Sequence, residues 1–318
     1  MPTMDDGGAN AIRGFNYQKA SIILVMIKNF QKQDFAIIPE ADEDFDVKCE
    51  NNDFYIQVKG TNKISPKKLM KSSNSKNSGD SILEKNMEPG SNSDIRKIFI
   101  CNYTESLNNQ LIEEYGDHIV TPVYSLSDQQ KKVFINKLNL TPDQTTRLNN
   151  LYIFITPFIN NSTDATTYLK GEMVNEDLIT SNERAQLILG ELSTLVDQKS
   201  EITITNEEDY NKKKISGESL KEFLITVENM DNFNSILESL DFNFLKKQKI
   251  RMEKNKIPLL FQDLKSNIKE EITLDSVINL TDQGALDLII NTIKSKISDI
   301  NEHQLWAIAI DCFKDLGE

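Results

Sequence analysis

Apolar residues near the start of the chain recur at spacings of three and four positions. They are Phe15, Ile22, Ile23, Met26, Ile27 and Phe30. This spacing places them on one face, so the sequence predicts a long amphipathic helix. Two short apolar runs follow at residues 35–40 and 44–49, and after a polar turn at 50–53 the chain resumes at 54–59. These runs predict a strand followed by a β-hairpin.

Strand and helix patterns alternate from there to about residue 165. Residues 97–101, 119–124 and 151–155 predict further strands, and residues 106–115 and 127–138 predict helices. Residues 71–93 are rich in Ser, Asn, Lys and Gly, so we expect a surface loop without packed structure there. Residues 1–165 therefore predict an α/β domain, a sheet flanked by helices.

Helical spacing dominates the rest of the chain, where strand signals are few. Helices are predicted at residues 182–197, 216–228, 233–252, 258–269, 274–280, 284–298 and 302–314. Residues 166–318 therefore predict an all-α module. Because this module contains no cluster typical of catalysis, we expect it to bind partners or to regulate the first domain.

The net charge of −13 would argue against a nucleic-acid partner, but the charge is unevenly distributed. Residues 1–165 carry 18 Lys and Arg against 21 Asp and Glu, so most of the acidity lies in the second part. One stretch of the first part is basic, through Lys59, Lys63, Lys67, Lys68, Lys71, Lys76 and Lys85. It is either a DNA-binding face or a solvated lysine-rich loop.

Composition excludes several classes of protein. No apolar run approaches the roughly 18 residues that a membrane span requires. The apolar stretch at residues 22–27 lacks a basic leader, so we expect a cytoplasmic protein. Three scattered cysteines and two histidines exclude a disulfide scaffold and a Cys/His zinc cluster. Any chemistry must use carboxylates, amides, lysines or hydroxyls.

One constellation has the residue types that such chemistry needs. Asp46 lies on one predicted strand, and Gln57 and Lys59 lie two residues apart on the next, so they share a face. The oxygens of Asp46 and Gln57, with a backbone carbonyl, suit Mg²⁺ or Mn²⁺. Glu40 and Asp44 are candidates for further ligands or for orienting metal-bound waters. With Lys59 beside a metal-bound water, this set predicts phosphodiester hydrolysis.

A structural alternative has comparable weight. Acids at a strand end, followed by Gln-x-Lys, also occur on the solvated face of an ordinary hairpin. Two features favour a metal-binding site over an ordinary hairpin. Ile56 and Val58 are predicted to face the core opposite Gln57 and Lys59, and five acids crowd residues 40–46, which is unfavourable without a cation.

These residues, taken in order, resemble a known family. It is the double-strand DNA nuclease domain of bacterial anti-phage defence effectors, in the Gln-x-Lys branch of the PD-(D/E)xK (restriction-endonuclease-like) superfamily. The motifs that carry the resemblance are Arg13-Gly14-Phe15-x-Tyr17-Gln18, Glu40-x-x-Glu43-Asp44-x-Asp46 and Gln57-Val58-Lys59. They cover roughly residues 7–60, and the order of strands extends the resemblance to about residue 165.

The resemblance implies a role for each matching residue. Asp46 corresponds to the metal-binding acid, Gln57 to a second ligand and Lys59 to the catalytic lysine. Tyr17 and Gln18 match a first-helix motif that either approaches the active site or locks the helix to the sheet. Further candidates would contact the DNA backbone without reading its sequence: Arg13, which could instead form a salt bridge at the helix start, and Lys63, Lys67, Lys68 and Lys71.

The family also implies partners. Its domain occurs fused to a cyclic-oligonucleotide sensor in CBASS-type effectors, and as the nuclease subunit in Lamassu and HerA-linked defence operons. The helical module resembles no cyclic-oligonucleotide sensor, and the chain has no Gly-x-x-x-x-Gly-Lys loop for ATP hydrolysis. We therefore expect control by a complex containing an SMC-like or HerA-like ATPase and an accessory subunit, with homo-oligomerisation during double-strand cutting. The alternative is a non-catalytic interaction subunit with a decayed nuclease fold.

Overall fold

The computed structural model describes the chain except residues 1–6, 33, 50–51, 62, 72–79, 108–109, 113–118, 177, 179–181, 255, 258–260, 298 and 317–318. Its contacts separate into two units, Met1–Leu224 and Ile225–Glu318. This division falls later than the predicted boundary after residue 165, because the helices that follow residue 165 pack on the first helix. Within the described residues, no helix combines the length and hydropathy needed to cross a membrane.

The first unit is built on a mixed eight-stranded sheet. Its strands are β1 (Ala36–Pro39), β2 (Phe45–Lys48), β3 (Asp53–Lys59), β4 (Ile95–Ile100), β5 (Leu111–Ile112), β6 (Val123–Ser125), β7 (Leu151–Ile155) and β8 (Ile215–Ser216). The spatial order is β5-β6-β7-β4-β3-β2-β1-β8. The pairs β3–β4 and β4–β7 are parallel, and the other pairs are antiparallel. This is the predicted restriction-endonuclease-like α/β architecture.

Helices cover the sheet. They are α1 (Gly7–Asn29), α2 (Pro66–Leu69), α3 (Ile82–Asn86), α4 (Asp128–Leu138), α5 (Pro142–Asn149), α6 (Ser162–Asn175), α7 (Asn182–Ser200) and α8 (Glu207–Lys213). The predicted first helix is confirmed as α1, which packs against α6 and α7. Its central residues are buried almost all round rather than on one face.

The predicted hairpin is confirmed as β2 and β3, with Asp46 paired to Tyr55. Alternate side chains of the strands enter two cores. On one face Phe45 and Phe99 meet edge to face, with ring centroids 5.8 Å apart. On the other face Ile98 and Ile100 join an apolar cluster with residues of α2 to α5.

The prediction of an unpacked loop at residues 71–93 is wrong for its described part, residues 71 and 80–93. Ser81 and Glu84 form a capping box that begins α3, and Leu83 is fully buried. The segment is fixed by the buried guanidinium of Arg96, which donates to four backbone carbonyls, those of Asn86, Pro89, Ser91 and Asp94. Residues 72–79 lie outside the described residues.

Three smaller predictions also differ from the structure. The helix predicted at residues 106–115 is wrong where the chain is described, because Leu111 and Ile112 pair with β6 as an edge strand. The strand predicted at residues 119–124 begins at Val123. In the second unit, the single helix predicted at residues 233–252 is interrupted, because the Asn243 side chain accepts a hydrogen bond from the Lys246 amide and begins a new helix.

The second unit is all-helical in its described part, as predicted for residues 166–318; within that predicted range, residues 215–216 instead form strand β8 of the first unit. The division between the units falls within α9 (Gly217–Ser239). The remaining helices are α10 (Phe244–Lys254), α11 (Gln262–Glu271), α12 (Leu274–Val277), α13 (Asp282–Lys296) and α14 (Glu302–Leu316). Their apolar side chains form one core, and α13 contributes Ile289 and Ile293 to it. The buried carboxylate of Asp311 pairs with Lys254 and Lys265, which links α10, α11 and α14.

Candidate active site

The acids of the predicted site lie in the tight turn between β1 and β2 and at the start of β2, which carries Asp46. Glu40 has a φ of 49°, a left-handed conformation that residues other than glycine seldom adopt. Its amide donates to the Asp44 carbonyl at 3.0 Å, which closes the turn. We call residues 40–46 the acidic turn. It brings its carboxylates to the sheet beside the end of β3.

Asp44 is the acid that the structure places against Lys59. Its Oδ2 accepts a hydrogen bond from the Val58 amide at 2.6 Å and lies 3.3 Å from the Lys59 Nζ. Both charged side chains remain partly exposed. The Asp44 carboxylate therefore links β3 to the acidic turn and stays accessible to a substrate or an ion.

Asp46 has different contacts. Its side chain is 1% exposed and accepts hydrogen bonds from the amides of Asp42 at 3.4 Å and Glu43 at 3.3 Å. Burial, and then the charge of Asp42, raises the pKa of Asp46 to about 7. Burial, and then the charge of Asp44, likewise raises the pKa of Glu43 to about 7. The acidic turn thus holds carboxylates whose ionised forms a nearby cation would stabilise.

Gln57 supplies an independent indication of a ligand. The residue is 5% exposed, and its Oε1 is buried without a hydrogen-bond partner. A buried acceptor left unpaired costs about 1–3 kcal/mol, and a cation would satisfy it. In the described part of the chain, no three His, Cys, Asp or Glu side chains form a metal cluster by themselves. A metal would therefore need the amide oxygen in addition to the carboxylates, and the residues present fit that requirement.

The two residues of the first-helix motif do different things. The Gln18 Nε2 donates to the Glu40 Oε1 at 2.7 Å and to the Asp44 carbonyl at 2.8 Å, so this side chain reaches the acidic turn. The Tyr17 hydroxyl lies 2.6 Å from the Thr156 Oγ1, buried against the sheet. Of the two alternatives left open by the sequence, Gln18 follows the first and Tyr17 the second.

Sequence reasoning missed a contact that fixes the end of β3. The Asn160 Nδ2 donates to the Gly60 carbonyl at 2.6 Å, directly after Lys59. A Cβ at Gly60 would lie 2.7 Å from this nitrogen and 2.9 Å from the Tyr17 Cδ1, so only glycine fits. Because Asn160 is distant in sequence and belongs to no motif, the sequence gives no signal for this contact.

The predicted DNA-contacting side chains are all exposed. Arg13 lies in α1, Lys63 follows β3, and Lys67, Lys68 and Lys71 lie in or directly after α2. They are therefore accessible, as a phosphate backbone requires. The described contacts do not connect them to the acidic turn.

The mixed sheet carries Asp44 against Lys59, and a buried amide lies two residues before that lysine on the same strand. This is the architecture of restriction-endonuclease-like nucleases. Residues 6–200 match the family model described as "Cap4, dsDNA endonuclease domain", and the chain belongs to this family of anti-phage defence nucleases. Over 320 residues it is 46% identical to the Lamassu protein LmuA of a Bacillus species, with 100% of each chain covered. No solved structure matches the chain.

Proposed function

We propose that the protein is a metal-dependent DNA endonuclease with little sequence specificity, and that Asp44, Gln57 and Lys59 form its catalytic centre. The observation that carries the proposal is the contact of Asp44 with Lys59 at the end of β3, the strand on which the Gln57 Oε1 is buried and unpaired. Membership of the nuclease family supports it.

Each side chain has a role that its position supports. Asp44 and the Gln57 Oε1, with the Val58 carbonyl, would hold Mg²⁺ or Mn²⁺. When bound, such an ion lowers the pKa of a water and offsets charge that develops on a phosphate. Lys59, held near Asp44, would orient the attacking water and, through its positive charge, favour the deprotonation of that water.

Asp46 and Glu40 were also predicted as ligands. We propose that they act mainly by shaping the acidic turn, because Asp46 accepts from two turn amides and Glu40 from Gln18. From there, either carboxylate could hold a metal-bound water.

Plasmid cleavage tests the proposed function. We expect the purified chain, together with the proteins encoded beside it, to nick or linearise supercoiled DNA with Mg²⁺ or Mn²⁺, and to stop when EDTA is added. Plasmids of unrelated sequence should be cut to a similar extent. If no divalent ion supports cleavage in any combination, the alternative of a non-catalytic interaction subunit is favoured.

Control by a partner complex is the second part of the proposal, and α10 supports it. The cations of α10 bind acids of their own unit: Lys246 pairs with Glu302, and Lys247 and Arg251 pair with Glu238. Three of the four large apolar side chains of α10 point outward, whereas Ile250 is buried in the core of the unit. Phe244 and Leu245 are each 71% exposed and Met252 is 67% exposed.

In the usual amphipathic helix the large apolar residues face the core, so three exposed ones on α10 depart from that arrangement. Exposed large apolar side chains on one helix are typical of a protein interface. Lys249 is also exposed on α10, which favours an acidic partner surface. We therefore propose that α10 docks the SMC-like ATPase complex, that docking controls the nuclease, and that released chains cut both strands as an oligomer.

Co-purification tests the docking helix. In the double variant Phe244→Ser with Met252→Ser, we expect at least tenfold less of the ATPase subunit to co-purify, because two apolar anchors are lost. Ile278→Ser is the matched control, since this residue is 61% exposed in the same unit but lies outside α10. Undiminished association of the double variant would exclude α10 as the docking helix.

A further inference from the structure

Asn86 connects α3 to the acidic turn. The side chain is fully buried, and its Nδ2 donates to the Glu43 Oε1 at 3.2 Å and to the Tyr55 carbonyl at 3.4 Å. Glu43 belongs to the acidic turn, and Tyr55 lies on β3, the strand that carries Gln57 and Lys59. One amide group therefore contacts both the acidic turn and β3, the two elements that carry the proposed catalytic centre.

The backbone at and after Asn86 is itself held by hydrogen bonds from two arginine side chains. The Arg96 Nε donates to the Asn86 carbonyl at 3.1 Å, and the remaining donors of this guanidinium hold the segment after α3 through Pro89, Ser91 and Asp94. Arg147 adds bonds to the carbonyls of Met87 at 2.8 Å and Glu88 at 2.7 Å. The Asn86 side chain thus projects from a rigid support rather than from a free loop.

The hydrogen bond from Asn86 to Glu43 also bears on Asp44, the residue that follows Glu43. Glu43 directly precedes Asp44, and the negative charges of the acidic turn repel one another. The Glu43 carboxylate lies close enough to Asp44 and Lys59 to feel their charges, and the Asn86 donor holds it in one position there. Without that donor, Glu43 would be free to compete for Lys59 or for a cation.

The two polar atoms of the Asn86 side chain differ in their contacts. Its Oδ1 is buried with no hydrogen-bond partner. An apolar residue of similar size would avoid that unfavourable burial. In the described contacts, the Asn86 side chain therefore acts through its donor, which contacts Glu43 and Tyr55.

We propose that Asn86 is a positioning residue of the nuclease: by holding Glu43, it fixes the acidic turn so that Asp44 can bind the metal ion beside Lys59. Arg96 supports Asn86 in this role. The inference rests on the proposed function, because it assumes that Asp44 is a metal ligand. It assigns a role to a residue of α3, which belongs to none of the recognised motifs.

Binding of Mn²⁺, measured by calorimetry on the full chain, tests this role independently of cleavage. We expect Asn86→Ala to weaken Mn²⁺ binding about tenfold, since supporting contacts around metal ligands typically contribute 10- to 100-fold in affinity. In cleavage assays, the Mn²⁺ concentration that gives half-maximal rate should rise, while the rate at saturating Mn²⁺ stays close to that of the wild type.

Asn92→Ala is the matched control. Asn92 lies in the same segment and bonds to Asp143 and Arg147, without contact to the acidic turn. Its Mn²⁺ affinity should equal that of the wild type. Asn86→Asp provides a second test with the volume preserved and the donor removed, and it should also weaken binding.

A double-variant cycle separates positioning from a general loss of structure. If Asn86 acts through Glu43, then adding Asn86→Ala to Glu43→Ala should weaken Mn²⁺ binding no further. Wild-type affinity in Asn86→Asp, or equal effects of Asn86→Ala and Asn92→Ala, would overturn the inference alone. A wild-type chain that binds no Mn²⁺ would instead contradict the proposed metal site.

Discussion

Replacing Asp44 with asparagine is expected to reduce metal-dependent DNA cleavage by about a hundredfold or more, whereas Asp46→Asn is expected to reduce it by about tenfold. Asp44 contacts Lys59 and the Val58 amide, so Asp44→Asn removes the charge that lies beside the proposed catalytic lysine. The carboxylate of Asp46 faces two amides of its own turn, and an asparagine oxygen can still accept from one of them.

The initial rate of plasmid cleavage at saturating Mg²⁺ measures both effects. Circular dichroism and the melting temperature serve as controls that each variant is folded. The contrast between the two variants is decisive, because sequence motifs favour Asp46 and the contacts favour Asp44. A larger loss for Asp46→Asn would mean that the acidic turn rearranges when DNA or metal binds, and would contradict our assignment.

Arg96→Met is expected to have the largest effect on stability, lowering the free energy of unfolding by about 3–5 kcal/mol. The guanidinium is fully buried and donates to four backbone carbonyls, none of which methionine can satisfy. It also lies over the ring of Tyr55, 5.7 Å from the ring centroid. The segment after α3 would lose its anchor.

Urea unfolding at neutral pH measures this change. Arg147→Met is the control, because Arg147 bonds to two carbonyls of the same segment but is only half-buried, so water can replace part of its contacts. We expect Arg147→Met to lower the free energy of unfolding by about 1 kcal/mol. Equal losses for the two variants would show that Arg96 has no special role in fixing the segment.

The sequence predicts the framework of the site well, for a simple geometric reason. Side chains alternate along a strand, so the spacing of Gln57 and Lys59 places them on one face. Ile56 and Val58 then fall on the opposite face, where both are buried. Likewise, the apolar spacing at residues 15–30 predicts α1, because helical periodicity is local in sequence.

The choice between Asp44 and Asp46 could not be made from the sequence. It depends on the acidic turn, where the left-handed Glu40 sets the direction of the chain and the turn amides engage Asp46. The separate roles of Gln18 and Tyr17 also follow from contacts with distant residues, Asp44 and Thr156. Such long-range contacts leave no local pattern.

The prediction of a loop at residues 80–93 is wrong for a different reason. The composition of this segment predicts a loop, yet the Ser81 and Glu84 spacing is that of a capping box, a helix signal present in the sequence. The contribution of Arg96 could not be predicted, because a buried guanidinium bonded to backbone carbonyls is set by tertiary structure. Asn86, which connects this segment to the acidic turn, was missed together with it.

The most direct test of the central claim compares wild type with Lys59→Ala in plasmid cleavage and Mn²⁺ binding, measured on the same preparations with the proteins encoded beside the chain. We expect that Lys59→Ala still folds and binds Mn²⁺ but loses cleavage by about a hundredfold or more, because the lysine acts on the water rather than as a ligand. Cleavage by Lys59→Ala at the wild-type rate would contradict the assignment of Lys59 to the catalytic centre.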